Sequence, residues 1–373
     1  MGTDLTDRPQ PETREPVRLA AVGDLLLVTD PAGIRPPRDT AALLGPVRPL
    51  LAGRDVVLGN LECTLPGCGE TVPTEPRVIA TPDAIRGIRT AGFNVVCLAN
   101  NHTFDCLADG YHEVRELLRD LGIAGFGAGD DLAGAAAPAI LEVRGTRLAF
   151  LGAVDEQSGA TQFAGPGRWG IAPLDMTRMV AQVRELRRQV DHVIVSVHWG
   201  EERFLIPSPT QVEQAHALAD AGAAMVLGHH AHVVQGLEVY HGVPILYSLG
   251  NFVASEVPFT DGGRVTWNRT GRTGCVLTAD LSPDGAVNIA QTATYDTGLE
   301  VEPDRTGFGE RRFARVNRAV AGGVSLARYR REHFWVKTVK PVLGFLRWSR
   351  LKTLRLRHVG RVLAGLVHAG RAR

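Results

Sequence analysis

Six apolar runs of strand length in this chain each stop at a polar residue, and VRLAAVGDLLL, RDVVLGNLE and FNVVCLANNH are the first three. The side chains at these stops can bind a metal or form hydrogen bonds: Asp24, Glu62, Asn101, His198, His230 and Asn251. Burying such groups at the end of a strand costs free energy unless something pairs with them. The pattern therefore indicates a sheet whose strand ends carry a functional site.

Helical segments lie between several of these runs. Apolar residues have the spacing of amphipathic helices at positions 81–91, 109–121, 176–190 and 209–221. Alternation of strands and helices predicts an α/β fold. Two further stretches are typical of hairpins, turning at Arg144-Gly145 and at Pro283-Asp284-Gly285, so the sheets are expected to be mixed. Ligands of α/β sheets bind at the carboxyl ends of the strands, where the polar residues fall.

These strand-end residues also form a set of metal-competent donors. His230 and His232, in GHHAH, are separated by one residue and can reach one centre from an irregular loop. The predicted donor set is Asp24, Glu62, Asn101, His198, His230 and His232. Mixed carboxylate, amide and imidazole donors suit manganese, iron or zinc better than calcium. One or two such divalent ions could hold a phosphoryl group and supply a hydroxide nucleophile near neutral pH.

His102 directly follows the amide donor Asn101 and could protonate a leaving oxygen or stabilise developing charge. Each donor also has a purely structural interpretation: a turn cap for Asp24, an exposed loop acid for Glu62, a turn former for Asn101 and a core residue for His198. His229 is expected to pack against the ligands without being one. The histidines that stand alone are expected to be ordinary surface or helix residues: His112, His192, His216 and His241.

The chain contains five motifs in a characteristic order, namely GDLLL, GNLECTL, LANNHTFDCLADG, VHWGEE and GHHAHVVQGLEVYHGVPILYSLGNF. Together, from about residue 17 to residue 256, they resemble the CapA family of poly-γ-glutamate capsule biosynthesis proteins. That family is similar to the calcineurin-like metallophosphatases. The resemblance implies a four-layer α/β/β/α sandwich with mixed sheets and a metal centre between strand ends. It also places the six donors on the metal-binding motifs and His102 on the catalytic histidine.

The sequence departs from the general metallophosphatase pattern in three places. Metallophosphatases begin with Asp-x-His, but here Asp24 is followed by Leu25 and Leu26, so one imidazole of the first metal site is missing. Glu62 replaces the usual bridging aspartate, and Ala231 stands where the family usually has a proline. The missing imidazole and Glu62 favour a single metal ion, or a second ion that binds weakly, whereas Ala231 only loosens the loop.

The charge is divided unevenly along the chain. Residues 305–373 contain 18 lysines and arginines but only two acidic residues, a net charge of +16, whereas residues 1–304 carry −15. Such a tail indicates an anionic partner. The first interpretation is a set of basic amphipathic helices lying on an anionic membrane surface. The alternatives are a clamp for an anionic polymer such as polyglutamate and helices packed on the acidic domain.

We therefore predict a disordered leader at residues 1–16, a CapA-like domain at 17–303 and a basic helical tail at 304–373. The leader is polar, with no signal peptide or membrane anchor, although many CapA proteins carry an anchor. No apolar run reaches about 18 residues, so no transmembrane helix is expected. An odd number of cysteines without zinc spacing predicts reduced thiols at Cys63, Cys68, Cys97, Cys106 and Cys275.

The sequence as a whole predicts a metal-dependent hydrolase of capsule or poly-γ-glutamate biosynthesis, acting on a phosphate or amide-like bond. The missing imidazole leaves an alternative open, in which the chain is a non-catalytic scaffold that binds or exports the polymer. The expected partners are an anionic polymer such as polyglutamate or a phosphorylated substrate, together with a capsule-synthesis ligase. Nucleic acid is not expected. The expected location is the cytoplasm, with peripheral contact on the inner face of the membrane.

Overall fold

The computed structural model of the protein describes residues 14–28 and 39–345. Most of the predicted leader and the last part of the predicted tail, residues 346–373, lie outside the described residues. The strands are β1 (Val17–Leu26), β2 (Val56–Asn60), β3 (Val95–Cys97), β4 (Ala124–Phe126), β5 (Ala128–Gly129), β6 (Ala139–Val143), β7 (Thr146–Val154), β8 (Gly170–Ile171), β9 (His192–His198), β10 (Met225–His229), β11 (Leu237–Tyr240), β12 (Val243–Leu246), β13 (Asn251–Ala254), β14 (Val257–Pro258), β15 (Arg264–Val265), β16 (Thr273–Ser282), β17 (Gly285–Asp296) and β18 (Val301–Pro303).

The helices are α1 (Thr40–Leu43), α2 (Arg48–Leu51), α3 (Pro82–Ala91), α4 (Leu107–Asp120), α5 (Leu132–Ala136), α6 (Met176–Leu186), α7 (Pro209–Asp220), α8 (Phe308–Ala321), α9 (Leu326–Phe334) and α10 (Lys340–Phe345). The four predicted helices are confirmed as α3, α4, α6 and α7. Thr81 and Ser208 cap α3 and α7, accepting hydrogen bonds from the backbone N–H of Ala84 and Gln211. Each cap is followed by proline, whose fixed φ suits the first helical turn.

Two mixed sheets form the centre of the fold. The first has the order β18-β17-β16-β1-β2-β3-β4, and β13 also pairs with β1. The second has the order β11-β12-β10-β9-β7-β6. Neighbours β1, β2, β3 and β4 are parallel, whereas β16 is antiparallel to β1. Both predicted hairpins are confirmed, as β6–β7 and β16–β17.

The side chains of β7 show how the layers are arranged. Leu148 and Phe150 belong to the core shared with the first sheet, and the Phe150 ring lies 5.9 Å from the ring of Phe126 in β4. The alternate residues Ala149 and Leu151 pack in a second cluster with buried residues of α6 and α7. Helices α3 and α4 cover the outer face of the first sheet. The expected four-layer α/β/β/α sandwich with mixed sheets is therefore confirmed.

Strand register brings the polar strand ends together. In the first sheet, Asp24 of β1 pairs with Asn60 of β2 on one side and with Asn251 of β13 on the other. In the second sheet, His229 of β10 pairs with His198 of β9. Because β1 and β2 are parallel, as are β9 and β10, their carboxyl ends fall at one edge of each sheet. Asn251 is instead the first residue of β13 and meets Asp24 from the amino end of its strand. The two edges face each other at the candidate site.

Two glycines allow the chain to approach itself closely at this edge. A Cβ atom on Gly23 would lie 1.8 Å from the carbonyl oxygen of Gly250. A Cβ atom on Gly228 would lie 1.9 Å from the carbonyl oxygen of Tyr247. Any larger residue would push these strands apart, so the glycines immediately before Asp24 and His229 fix where those side chains emerge.

The first part of the predicted basic tail is packed on the domain. Helix α8 buries Phe313, Val316 and Val320, and Val320 belongs to the core cluster of the second sheet. Asn317 accepts a hydrogen bond from the Leu237 backbone N–H at 2.9 Å. Helix α8 therefore packs as part of the sandwich, although its residues lie in the predicted tail, which begins at residue 304. The membrane interpretation of residues 346–373 stays a prediction.

Two further expectations concern the membrane and the cysteines. Over residues 14–28 and 39–345, no helix is both long and apolar enough to cross a membrane. All five cysteines are free thiols, and four of them are buried, with Cys68 exposed. Burial raises the pKa of the Cys97 thiol to about 11, as expected for a structural rather than a reactive cysteine.

Candidate metal centre

Two groups of buried donors meet at Glu62. In one group, ligand atoms of Glu62, His198 and His230 all lie within 4.8 Å of one another. In the other, the same is true of Asp24, Glu62 and His232. The two groups share Glu62, so its carboxylate stands between them as a bridging ligand would. The structure thus brings together five of the six predicted donors.

Asn101, the sixth predicted donor, contacts the first group. Its Oδ1 lies 2.9 Å from His198 Nε2, and its Nδ2 lies 3.3 Å from His102 Nε2. His102 Nδ1 lies 2.8 Å from a carboxylate oxygen of Asp105, which fixes the orientation of the ring. His102 and Asn101 line a cavity of about 210 Å³. This arrangement leaves His102 Nε2 directed towards Asn101, beside which His102 also lines the cavity.

Asp24 is held from several sides. Its Oδ1 accepts a hydrogen bond from Asn60 Nδ2 at 2.8 Å and lies 3.1 Å from His229 Nδ1. Its Oδ2 lies 3.3 Å from His232 Nδ1, whose hydrogen bond goes instead to Asn251 Oδ1 at 2.8 Å. Leu26, where a metallophosphatase would have its histidine, is buried in the core. The nearest imidazoles to Asp24 therefore come from the GHHAH segment.

The two carboxylates have opposite electrostatic environments. Burial raises the pKa of Asp24, but the imidazoles of His229 and His232 outweigh it and hold this pKa well below its ordinary value. Burial, together with the negative charge of Asp24, raises the pKa of Glu62 well above its ordinary value. Two adjacent buried carboxylates repel each other when both are ionised, and a cation between them would remove that repulsion.

The imidazoles of the GHHAH segment also differ. Burial lowers the pKa of His232, but the charge of Glu62 and contacts with Asp24 raise it to about 10. Burial and the positive charge of His232 lower the pKa of His230 to about 4. His230 therefore presents a neutral ring, which is the form that binds metals. Both residues have positive φ, 82° for His230 and 53° for His232, a strained conformation that places both rings at the centre.

Several buried polar atoms at the site remain without partners. Within the described ranges, five of them have no hydrogen-bond partner: Asp24 Oδ2, Glu62 Oε1, His198 Nδ1, His229 Nε2 and His230 Nδ1. Nearly all buried polar groups in proteins are paired, because an unpaired one costs free energy. Carboxylate oxygens and imidazole nitrogens left open together are what a divalent cation requires. The residues present fit such an ion.

Sequence reasoning missed several residues that organise the site. Asn60 Nδ2 donates to Asp24 and lies 3.3 Å from Glu62 Oε2, and Asn100 Nδ2 lies 3.1 Å from Asn60 Oδ1. Asp105 orients His102. The available signals were weak: Asn60 precedes Glu62 by two residues, and Asp105 follows His102 by three, a spacing that allows contact within one turn.

Comparison with known proteins identifies the family to which the chain belongs. The chain belongs to the bacterial capsule synthesis protein family, PGA_cap, whose family model matches residues 18–256. The resemblance to the CapA family inferred from the motifs is therefore confirmed.

Named relatives are similar over part of their length. The capsule biosynthesis protein CapA of Bacillus anthracis is 31% identical over 65% of this chain and 61% of its own length. The PGA biosynthesis protein CapA of Bacillus subtilis is 30% identical over 63% of this chain and 62% of its own. A probable polyglutamine synthesis accessory protein of Mycobacterium tuberculosis is 36% identical over 53% and 55%. The chain thus spans about three-fifths of the length of the Bacillus relatives.

Solved structures show weaker likeness. A hypothetical protein from Thermus thermophilus covers 75% of this chain and 99% of its own length, with a TM-score of 0.48 and 17% identity. The NAD nucleotidase of Haemophilus influenzae covers 82% of this chain and 62% of its own, with a TM-score of 0.43 and 13% identity.

Proposed function

We propose that this chain is a metal-dependent hydrolase that cleaves a phosphate or amide-like bond during capsule or poly-γ-glutamate synthesis. The proposal rests on two donor groups that share Glu62 and on the buried polar atoms at this site that, among the described residues, have no hydrogen-bond partner. A purely structural cluster would pair these atoms with one another, because leaving them open costs free energy. A catalytic centre keeps them open for its ion.

The proposed ligands divide between the two donor groups. Glu62, His198 and His230 would hold one divalent ion, with Asn101 beside them, and Asp24, Glu62 and His232 would hold another. The metal itself would be manganese, iron or zinc, which accept this mixture of donors. When bound, such an ion supplies Lewis acidity at the bond to be cleaved.

The remaining chemistry falls to His102. A carboxylate oxygen of Asp105 lies 2.8 Å from Nδ1, so the ring is held with Nε2 towards the donors. From that position Nε2 can deliver a proton to the leaving oxygen or nitrogen. Asp105 belongs to neither donor group, and we assign it to positioning the His102 ring.

The proposed substrate class is based on the names of the relatives and on the net charge of +16 of residues 305–373. The printed names of the relatives concern capsule, PGA and polyglutamine synthesis. We propose an anionic polymer such as polyglutamate, or a phosphorylated substrate, as the molecule bound here. A ligase that makes the polymer is the partner we expect.

We expect the purified protein to hydrolyse bis(p-nitrophenyl) phosphate or poly-γ-glutamate only when manganese is present, because the open donors need an ion to act. Release of nitrophenol or of shorter glutamate chains measures the two reactions. Chelation should abolish turnover and manganese should restore it. A protein that binds manganese yet turns over neither substrate would instead support the non-catalytic scaffold.

A further inference from the structure

A cavity of about 280 Å³ lies beside the candidate metal centre. His232 lines one wall together with Trp267, whose ring lies 4.9 Å from the His232 ring. Trp335 and Lys340, from the predicted basic tail, line another wall. The cavity therefore lies between one proposed metal ligand, His232, and the C-terminal segment, which the metal centre itself does not use.

The C-terminal segment is fixed in this place by contacts with the loop after β9. Lys337 Nζ lies 2.5 Å from Glu201 Oε2, and its charge lies 5.6 Å from the centre of the Phe204 ring. The rings of Tyr329 and His333 also pack on Phe204, at 5.7 and 5.6 Å. The wall formed by this segment is thus part of the folded protein.

The lining of the cavity carries an excess of positive charge. Arg203, Arg312 and Lys340 line it, and Glu332 is the acidic residue among the described lining residues. Arg203 stacks over Trp267, with its guanidinium carbon 5.5 Å from the ring centre, which holds the charge at the cavity wall. Three cations against one carboxylate favour an anionic ligand.

Arg312 gives the strongest indication of what that ligand is. Its Nε and Nη2 are buried and, in the described part of the chain, have no hydrogen-bond partner. These two nitrogens form one edge of the planar guanidinium, the edge that donates two parallel hydrogen bonds to a carboxylate or phosphate. Burial and the nearby charge of Arg315 lower the pKa of Arg312 to about 10, so it remains charged at neutral pH.

We propose that this cavity binds an oxyanion of the substrate, a carboxylate or a phosphate, through the open edge of Arg312. The proposal rests on the proposed function only in taking that oxyanion to be part of the molecule cleaved at the metal centre. Ligand cavities usually measure about 300–1,000 Å³, so this one suits a single unit or end group of a longer molecule. Trp267 and Trp335 would flank the apolar part of that unit.

Calorimetric titration of the full chain, with manganese and again after chelation, tests the proposal. The probes are N-acetylated tri-γ-glutamate, its fully amidated neutral analogue and inorganic phosphate. We expect an anionic probe to bind, the neutral analogue not to bind, and Arg312→Gln to weaken binding at least about 10-fold, because a hydrogen bond to a charged group is lost. The matched control is Arg311→Gln, an exposed arginine on the same helix, which should bind like the wild type.

The three probes also separate the sources of the oxyanion. Binding of tri-γ-glutamate assigns it to a carboxylate, and binding of phosphate alone assigns it to a phosphoryl group. Equal binding of the neutral analogue, no binding of either anion, or unchanged binding by Arg312→Gln would overturn the proposal. If the Arg312→Gln variant does not fold, the Lys340→Gln variant is titrated instead. Its affinity for the anionic probe should fall by up to about 5-fold. Because binding is measured after chelation as well, failure of the cavity and failure of metal-dependent hydrolysis can be told apart.

Discussion

The His102→Ala variant is expected to hydrolyse substrate about 10² to 10⁴ times more slowly than the wild type, the usual contribution of a positioned acid or base. The cause is loss of the ring nitrogen that faces the donors, while Asp24, Glu62 and the GHHAH histidines remain in place. Manganese content should therefore stay close to that of the wild type. Steady-state rates and elemental analysis of the same sample measure both effects.

His112→Ala is the matched control for this experiment. His112 is a partly exposed histidine that contacts Asp130 on the surface, 2.7 Å from its Oδ1. Its removal should change neither rate nor metal content. Loss of metal from His102→Ala would show that His102 is a ligand, and an unchanged rate would show that it takes no part in the reaction.

The His230→Ala/His232→Ala double variant should lose divalent metal, with an affinity more than about 100-fold below that of the wild type. Removing a residue that only supports a ligand already lowers metal affinity about 10- to 100-fold. This variant removes one imidazole from each donor group. Hydrolysis should fall to the rate of the metal-free protein. Elemental analysis after dialysis measures the loss.

Backbone conformation complicates this variant, because both residues have positive φ. Alanine is strained there, whereas glycine adopts such angles readily. The His230→Gly/His232→Gly variant should therefore lose metal in the same way while keeping the fold, as circular dichroism would show. The matched control, His112→Ala/His241→Gly, removes two histidines outside the site, with glycine at His241 because its φ is also positive. Equal metal in the glycine variant and the wild type would contradict the ligand assignment.

The mixed α/β sheets could be predicted from the apolar runs, and the four-layer sandwich from the resemblance to the CapA family. Apolar runs that end in polar residues determine where strands stop, and parallel strands carry those stops to one edge. Asp24, Glu62 and His198 come from three different strands. Ligand atoms of Asp24 and of His198 nevertheless each lie within 4.8 Å of a ligand atom of Glu62. Their proximity could be predicted because each of these side chains lies within two residues of the end of a buried strand.

The residues that position the site could not be found in the same way. Asn60 is the last residue of β2, and only its register opposite Asp24 shows that its amide reaches two carboxylates. Asp105 lies in a turn before α4, where an aspartate is ordinary. Such roles depend on pairing between distant segments, which the pattern of a single segment does not contain.

The C-terminal segment shows a different limit of sequence reasoning. Its alternation of arginine with apolar residues predicts amphipathic helices, but an apolar face can cover either a lipid surface or the protein's own sheet. In α8 the apolar face covers the protein's own domain, because Phe313 and Val320 are buried against it. Charge alone also could not show that Arg312 and Lys340 would meet beside His232.

The most direct test of the account is a calorimetric titration of manganese into chelator-treated protein, performed on the wild type and on Glu62→Gln. Glu62 belongs to both donor groups, and glutamine keeps its size while removing its charge. We expect the wild type to bind one or two ions per chain and Glu62→Gln to weaken this binding by more than about 100-fold. A wild type that binds no manganese, or a variant that binds it equally well, would contradict the account.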